Sequence, residues 1–423
     1  DWSSDGRLAV VQVLGARWRI EFPIGKVIYE TDHAISHLRL SPKGDLLAFI
    51  DHPLPPDDTG FVAVVDLAGH ERLLTPRYNS AQGLAWTPSG GEIWYTAAEF
   101  GINAALRAVK PDGSSPPRVV ARVPGRLNLH DIARDGRVLL GRETWRVGSA
   151  GVFPGDAQER DVSWLDLSFA TDVSADGKTV LLSEQGEGGG PQYSVYLRKT
   201  DGSPAVRLGD GYGPALSPDG RWVLTFLRTS PAQLVLLPTG AGETRPLPRG
   251  PIESYVLDGA WFPDSKRVVF VASERGHGQR LYAQDIAGGD PRPISPEGTS
   301  ALSAFSVSPD GEFVAAADAN EKAWLYPVAG GQPRPVPGAG PREAPIRVSA
   351  DGHSLYVRKL LGLLEIYKVA LATGRRQLWK QIRPADPAGW VPFFFVNITP
   401  DGKYYTYTYA RILSDLYLVE GLK

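Results

Sequence analysis

Cysteine and methionine are both absent from this sequence of 423 residues. Without cysteine there is no disulfide and no catalytic thiol, although this absence assigns no cellular compartment. The lack of methionine, even at the start, favours a piece of a longer chain or a mature domain, with a designed or reconstructed sequence as a weaker alternative. Long apolar runs are also missing, because Leu8–Leu14 contains Gln12 and is far shorter than the roughly 20 residues of a membrane span. The chain itself is therefore expected to be soluble, with no direct insertion into a membrane.

The charge balance and the missing motifs exclude several function classes. The formal net charge is −2, so no nucleic-acid partner is expected. The sequence has no Gly-x-Ser-x-Gly elbow, no His-Glu-x-x-His zinc motif and no set of kinase motifs. We therefore predict no enzyme activity, no catalytic residue, no cofactor and no metal. His33, His37, Asp51 and His52 are potential metal ligands on one repeat, but a solvated loop is the favoured interpretation.

The sequence contains nine copies of one four-residue turn. Most copies read Ser-Pro-Asp-Gly or a close variant, which suits a type I turn: proline presets φ, aspartate bonds its own backbone and glycine accepts a positive φ. The turns are 41–44, 87–90, 133–136, 174–177, 217–220, 262–265, 308–311, 349–352 and 399–402. Their last residues lie 41 to 50 positions apart, which indicates a repeat array.

Each turn is flanked by β-strand patterns. Two apolar strands surround it, a third strand alternates in polarity, and a fourth is often rich in arginine and proline, as at 291–295. Proline is compatible there only with an outermost strand. Four antiparallel strands per repeat make a propeller blade. The predicted fold class is therefore all-β, a β-propeller of four-stranded antiparallel blades, since a sandwich has no fixed period and β-solenoid repeats are shorter.

Nine blades are predicted, one for each turn. Eight blades with an irregular insertion are the alternative, because the third turn has Arg134 in place of proline and the sixth ends in Ser265. Residues 1–21 are interpreted as a linker or lead-in and residues 22–423 as a single propeller domain. The last repeat lacks an outer strand, so the strand at 26–30 is expected to complete that blade and close the ring.

A second register places acidic residues near one mouth of the predicted ring. The residue leaving the second strand is a carboxylate in six of the nine repeats, and Glu187 adds another in the glycine-rich segment 184–190. The candidate ligand-binding residues are Asp51, Glu99, Glu143, Glu184, Glu187, Glu274 and Asp318. Like charges at one opening favour a cationic partner. Solvated strand ends, and a flexible loop rather than a recognition loop at 184–190, are the simpler interpretations.

The repeated turn and the apolar strand after it resemble the WD40-like, TolB-like propeller repeat called PD40, without the Gly-His and Trp-Asp signatures of true WD40 units. The runs 22–30, 183–190, 196–204, 233–242 and 413–423 further resemble the C-terminal region of bacterial eukaryotic-like serine/threonine kinases. This resemblance covers residues 22–423. It implies an extracytoplasmic, periplasmic-side module of a membrane-anchored parent kinase, and any kinase activity belongs to parts of that parent outside this sequence.

Two functions follow as hypotheses. The first is a non-enzymatic sensor that binds a peptide, a cell-wall fragment or a small cationic ligand through the acidic mouth. The second is a TolB-like scaffold that binds a protein partner and has no small-molecule site.

Overall fold

In the computed structural model the described residues are 1–14, 17–53, 58–229, 231–299, 305–359, 364–383 and 387–422, with only the backbone described at 392–394. Within these ranges the regular structure consists of β-strands and one turn of 3-10 helix, Glu187–Gly189. The prediction of an all-β fold built from four-stranded antiparallel sheets is confirmed. Across the same residues, no helix has the length and apolar character that crossing a bilayer requires.

The chain divides into two compact units. The first comprises Asp1–Trp145 and Ile412–Lys423, and the second comprises Arg146–Arg411. The strands Val138–Val152 and Tyr405–Val419 each contribute residues to both units. The prediction of a single propeller domain over residues 22–423 stays a prediction.

The first unit holds three complete sheets and part of a fourth. Its strands are β1 (Val10–Leu14), β2 (Arg17–Glu21) and β3 (Val27–Thr31); β4 (Ala34–Leu40), β5 (Leu46–His52), β6 (Phe61–Asp66) and β7 (Glu71–Leu73); β8 (Ser80–Trp86), β9 (Ile93–Ala98), β10 (Ala105–Val109) and β11 (Arg118–Ala121); and β12 (Arg126–Ile132) with the first part of β13 (Val138–Val152). In each sheet, strands that are consecutive in the chain pair side by side in antiparallel fashion.

The second unit holds five four-stranded sheets whose strands follow chain order. They are β15 (Ser168–Val173), β16 (Thr179–Glu184), β17 (Ser194–Lys199) and β18 (Val206–Asp210); β19 (Tyr212–Leu216), β20 (Trp222–Leu227), β21 (Gln233–Pro238) and β22 (Arg245–Pro246); β23 (Ile252–Trp261), β24 (Arg267–Glu274), β25 (Arg280–Asp285) and β26 (Arg292–Pro293); β27 (Ser306–Val307), β28 (Phe313–Ala317), β29 (Ala323–Pro327) and β30 (Arg334–Pro335); and β31 (Glu343–Val348), β32 (Ser354–Lys359), β33 (Leu364–Ala370) and β34 (Arg376–Ile382). A sixth sheet has the order β35 (Trp390–Ile398), β36 (Tyr405–Val419), the last part of β13, and β14 (Arg160–Asp161).

Each of the nine repeated turns joins the first and second strands of its repeat, and these two strands pair in antiparallel fashion, as predicted. In each turn the amide of the fourth residue donates to the carbonyl of the first over 2.8–3.1 Å. The fourth residue has a left-handed φ in every copy, including Ser265 at 54°. The short proline-bearing strands β22, β26 and β30 are the outermost of their sheets, because proline cannot donate a ladder hydrogen bond.

Ring closure by the strand at 26–30 is not confirmed. That strand exists as β3 but pairs with β2, and residues 1–21 contain β1 and β2 instead of an irregular lead-in. Pairing with the strand just before it closes only a short loop, which costs less conformational entropy than pairing with the far end of the chain. The outer strands that β35 and β36 lack are supplied within the second unit by β13 and β14.

Hydrophobic clusters lie between successive sheets. In the second unit five clusters join each sheet to the next in chain order. A sixth joins the sheet of β35 to that of β15, through Phe153 and Val162 on one side and Ala170 and Leu182 on the other. The innermost strands β15, β19, β23, β27, β31 and β35 also contact one another in this order, and β35 contacts β15. The count of nine blades in one ring is not confirmed.

Candidate functional site

Two of the three acidic residues predicted in the first unit, Asp51 and Glu99, lie where second strands end, whereas Glu143 lies inside β13. Asp51 stands near the end of β5, with a carboxylate oxygen 2.9 Å from Nδ1 of His33. This contact raises the pKa of the His33 imidazole. Glu99 follows β9 and accepts a 2.7 Å hydrogen bond from Nη2 of Arg107, a nearly buried side chain. Both carboxylates therefore tie neighbouring strands together.

Glu143 belongs to a denser network in the same unit. Its Oε2 accepts a 2.7 Å hydrogen bond from the indole Nε1 of Trp145 and lies 3.9 Å from Nε of Arg126. Arg126 is only 2% exposed, and its guanidinium stacks on the Trp145 ring and donates to Asp58 over 3.3 Å. A buried cation needs such partners, because leaving it uncompensated costs several kcal/mol. Glu143 therefore helps to neutralise a buried arginine.

In the second unit, Glu274 and Asp318 are also engaged. Glu274 at the end of β24 accepts 2.9 Å hydrogen bonds from the Tyr282 hydroxyl and from Arg280, both on β25. These bonds hold the pKa of the Glu274 carboxyl below its usual range. Asp318 follows β28 and accepts a 3.0 Å hydrogen bond from the indole of Trp324 on β29. The carboxylates fix the hairpins between second and third strands.

Glu184 and Glu187 lie in the glycine-rich segment. Glu184 is fully buried at the end of β16, where Ser168 donates to Oε1 while Oε2 has no hydrogen-bond partner among the described residues. Burial raises the pKa of this carboxyl to about 7. Glu187 begins the 3-10 turn, and its amide donates to the carboxylate of Asp166 over 3.3 Å. Glu184 is therefore an internal group and cannot reach a ligand at a rim.

The register of the acidic residues is thus present, but most of these side chains are occupied inside their own sheets. Asp51, Glu99 and Glu143 belong to the first unit, and the other four belong to the second. Their convergence on one mouth stays a prediction. The histidines considered as metal ligands also have partners within the protein. His33 pairs with Asp51, whereas His37 and His52 bond to Ser36. In the described ranges no three His, Cys, Asp or Glu side chains are grouped as metal ligands.

The outer strands carry a recurrent arginine that sequence reasoning recorded only as composition. In four sheets its guanidinium donates to the carbonyl just beyond the third strand of the next sheet, and so joins consecutive sheets. The pairs are Arg72 with Pro111, Arg160 with Thr200, Arg245 with Ile286 and Arg292 with Val328. Hydrogen bonds from charged donors are stronger than neutral ones, so these contacts hold the sheets in register.

Replacing one such arginine is expected to weaken the contact between two sheets. Arg292→Ala removes the 3.0 Å hydrogen bond to the Val328 carbonyl and should lower the free energy of unfolding by about 1 kcal/mol. Urea unfolding followed by tryptophan fluorescence measures this. The matched control is Arg275→Ala, which removes a side chain 92% exposed and 3.9 Å from its nearest carboxylate. Equal effects of both variants would contradict the proposed contact.

The inner strands of the second unit bring a different set of charged groups together. Asp172 on β15 accepts hydrogen bonds from the Leu216 amide of β19 at 3.0 Å and from Arg347 of β31 at 3.2 Å. Arg347 also donates to the Ile398 carbonyl of β35 over 3.1 Å. Since β35 separates β31 from β15, this ion pair is possible only on the side where the inner strands converge. Asp172 and Arg347 therefore lie on the side of the second unit where its inner strands converge.

A strand bulge sets the direction of these side chains. The pairing of β15 with β16 shifts between Ala170 and Asp172, and that of β31 with β32 shifts between Pro345 and Arg347. A bulge reorients the residue that follows it, and bulges are frequent next to functional sites. Asn397 on β35 joins the same group, because its side-chain amide donates to the Ala170 carbonyl over 2.9 Å.

Asp258 and Arg358 are a second pair of opposite charges in the same unit, and we use the name axial cluster for the five residues Asp172, Asp258, Arg347, Arg358 and Asn397. Asp258 lies on β23 and accepts a 2.8 Å hydrogen bond from the Gly259 amide. Burial raises its pKa to about 7, opposed by the charge of Arg358. Burial also lowers the pKa of the Arg358 guanidinium to about 10. In the described part of the chain, no basic side chain forms an ion pair with Asp258.

The chemistry of the axial cluster is that of charge recognition. Asp172 accepts hydrogen bonds from the amides of Leu216 and Val173 and from Arg347. Asp258 accepts from one backbone amide, and its carboxyl has a pKa of about 7. A ligand cation would stabilise the ionised form of Asp258, because an opposite charge nearby favours ionisation. The arrangement therefore suits binding of an ammonium or guanidinium group.

Most of the axial cluster precedes the repeated turns in the chain, whereas the predicted acidic residues follow them. Counting backward, the residue two positions before the turn is Asp172, Arg347 or Asn397 in three repeats of the second unit. Asp258 stands four positions before its turn. Charged residues recurring inside otherwise apolar first strands are the signal that could have located it.

Comparisons with known proteins give remote similarities. No family model and no curated protein matches the chain. Among solved structures, it is similar to TolB from Acinetobacter baumannii, with 15% identity over 77% of this chain and 80% of that one and a TM-score of 0.31. A prolyl endopeptidase gives 14% identity over 96% of this chain with a TM-score of 0.28, and puromycin hydrolase gives 19% over 88% with 0.35.

The chain spans 54% and 57% of the lengths of these two enzymes. TolB is a propeller of the PD40 type, and the two enzymes are peptidases or hydrolases by name. All three TM-scores are below 0.5, so the assignment of the fold depends on the strand pairing, the repeated turns and the intersheet cores described above. That architecture, antiparallel four-stranded sheets packed in succession, is consistent with a β-propeller.

Proposed function

We propose that this chain is a non-enzymatic β-propeller that binds its partner at the axial cluster of the second unit. The observation that carries the proposal is Asp258, a half-buried carboxyl with a pKa of about 7 that lies in the field of the Arg358 charge. Ligand sites commonly hold a few polar groups that converge from several elements of a rigid scaffold. In this cluster the groups come from β15, β23, β31, β32 and β35.

We also infer that the second unit is a closed propeller of six blades. Six intersheet cores support this, one for each pair of neighbouring sheets, including the pair formed by the last and the first. The last blade would then combine β13 and β14 from the start of the unit with β35 and β36 from its end. This pairing removes two open sheet edges. A closed ring would hold the inner strands rigidly, as a binding site requires.

The favoured ligand is a peptide or small molecule that presents a guanidinium or ammonium group. The charge of Arg358 and the Gly259 amide only partly offset the desolvation of Asp258, so a ligand cation would gain from binding beside this carboxylate. In this proposal Asp258, and not the acidic rim predicted from the sequence, gives the site its selectivity for cations. Cell-wall fragments that carry free amines belong to the same chemical class.

The wider biological role is a further part of the proposal. By its resemblance to the propeller region of bacterial serine/threonine kinases, the chain would act as the extracytoplasmic sensor of a membrane-anchored kinase. Ligand occupancy would then alter the association of the attached kinases. Protease treatment of intact cells that express the parent protein tests the location, because an extracytoplasmic propeller would be cleaved while the kinase domain is protected.

Binding of butylguanidinium and of an arginine-containing tripeptide tests the site. Both are expected to raise the Tm of the full chain, and Asp258→Asn should abolish the shift. Because Asp258 must ionise to pair with the cation, affinity should rise about tenfold from pH 6 to pH 8. Asp290→Asn, in an exposed loop of the same unit, is the matched control.

An unchanged response in Asp258→Asn would place the cation elsewhere. If neither probe binds and the chain instead captures a protein partner, the scaffold alternative without a small-molecule site would be supported.

A further inference from the structure

Ser36 of the first unit lies between two imidazoles. Its Oγ is 2.7 Å from Nε2 of His52 and 2.8 Å from Nδ1 of His37. The other ring nitrogen of His52, Nδ1, is 3.1 Å from the backbone carbonyl of Thr59. Neither the metal chemistry considered for these histidines nor the proposed binding function uses this serine. A hydroxyl bonded to an imidazole that is itself held by a third group is the arrangement that activates a nucleophile.

The hydrogen bonds assign the protons of neutral His52. A backbone carbonyl can only accept, so the Nδ1 of His52 that faces Thr59 must carry the proton. Its Nε2 is then an acceptor and takes the Ser36 O–H. Ser36 Oγ in turn accepts from Nδ1–H of His37. The Ser36 proton is thus directed at a nitrogen that can remove it, as general-base activation requires.

The backbone at this site is strained, and the next repeat has the same conformation at the equivalent position. His37 lies in the bulge of β4 with φ of 54°, where an L-residue other than glycine is disfavoured. The residue at the same position before the next turn is Gly83, with φ of 63°. A histidine is therefore held in a conformation for which the adjacent repeat uses glycine. Such strain is often stored at functional sites.

The His52 ring fits in its place because residue 60 is a glycine. A Cβ at Gly60 would stand 3.1 Å from Nδ1 of His52 and 2.9 Å from the side chain of Ile50. Glycine at this position lets the imidazole sit against the backbone and keep its bond to Thr59. His52 is 8% exposed, whereas Ser36 and His37 are half-buried, so the base is enclosed and the hydroxyl is at the accessible side.

We propose that Ser36 is a reactive serine that accepts an acyl group from activated carboxylic esters. Ser36 Oγ forms a bond to the carbonyl carbon of the ester, and the bond from that carbon to the leaving alcohol breaks. The Ser36 proton passes to Nε2 of His52 and then to the departing alkoxide, so the products are acylated Ser36 and an alcohol. His37 positions Oγ by donating to it. The step is a covalent modification of the first unit, and it is independent of ligand binding at the axial cluster.

Treatment of the full chain with p-nitrophenyl acetate near neutral pH tests this proposal. Peptide mapping by mass spectrometry should locate one acetyl group on Ser36. Ser254 supplies the comparison in the same sample, because its hydroxyl bonds to the Ser273 hydroxyl and, among the described residues, to no imidazole. Acetylation of Ser36 is expected to be at least 100-fold faster than that of Ser254, the usual lower bound for general-base assistance.

Two variants separate reactivity from folding. Ser36→Ala should remove the labelled peptide, and His52→Gln should slow labelling of Ser36 by at least tenfold while circular dichroism and Tm confirm the fold. Equal labelling of Ser36 and Ser254 in the wild-type protein would overturn the proposal without any variant. Unchanged labelling in folded His52→Gln would also overturn it, since the imidazole would then have no part in the reaction.

Discussion

Replacing Glu184 by glutamine is expected to remove a large pH dependence of stability. Glu184 is fully buried, and its carboxyl pKa is about 7 in the folded chain against an ordinary 4.5. Since each pH unit between these values is worth about 1.4 kcal/mol, the variant should gain about 3 kcal/mol on the wild type between pH 4 and pH 8. Chemical unfolding at several pH values measures the difference.

The sign follows from proton binding. A raised carboxyl pKa means that the folded state binds the proton more tightly than the unfolded chain does. The stabilisation is therefore complete below pH 4.5 and is lost as the pH rises through 7. Glutamine stays neutral at every pH, so the variant does not lose stability through ionisation of this side chain. Any other effect of the new amide on the free energy of unfolding is the same at every pH.

Glu274→Gln is the matched control for Glu184→Gln. Hydrogen bonds from Tyr282 and Arg280 lower the pKa of Glu274, so its stabilising effect is present above its ordinary pKa and is lost in acid. The pH dependence of this variant should have the opposite sign. A difference between Glu184→Gln and wild type that stays constant from pH 4 to pH 8 would contradict the assignment of Glu184 as a buried titrating group.

Gly151→Ala is expected to destabilise the second unit by about 3 kcal/mol or more, because overpacking here meets backbone and not a movable side chain. A Cβ at this position would stand 2.1 Å from the Tyr405 carbonyl oxygen and 3.0 Å from Cα of Thr406. These contacts join β13 to β36 in the sixth sheet, where Ser149 also bonds to Thr408 over 2.9 Å. Separating the two strands would open that sheet, so Tm should fall sharply.

A second glycine of the same unit supplies the comparison for Gly151→Ala. Gly240 has no heavy atom within 4 Å of an added Cβ and no positive φ, so Gly240→Ala should leave Tm nearly unchanged. Calorimetry of both variants at one pH makes the comparison direct. A Gly151→Ala protein as stable as Gly240→Ala would show that residues 146–161 do not complete the last sheet.

Local structure could be predicted well because it depends on neighbours in the chain. Ser308-Pro-Asp-Gly311 specifies its own turn: proline fixes φ, the Ser308 hydroxyl bonds to Asp310, and Gly311 adopts φ of 73°. Proline in β26 and β30 likewise forces these strands to the outside. These features need no information from distant residues.

The acidic residues show where this reasoning stopped. Glu274 stands where the register puts it, but its partners Arg280 and Tyr282 come from the next strand, and the sequence did not reveal that they would occupy it. The meeting of Asp172 with Arg347, 175 positions along the chain, depends on the packing of four inner strands. A one-dimensional pattern cannot specify which charged groups face each other.

The sequence alone determined the element type, the turns, the repeat period and the outer position of the proline strands, because each follows from bonds and φ preferences within a few residues. The tertiary structure decided how the repeats group into two units, which strands complete the last sheet and which charged side chains converge. Those outcomes depend on burying apolar faces between sheets, and many pairings of the same repeats satisfy the local rules equally well.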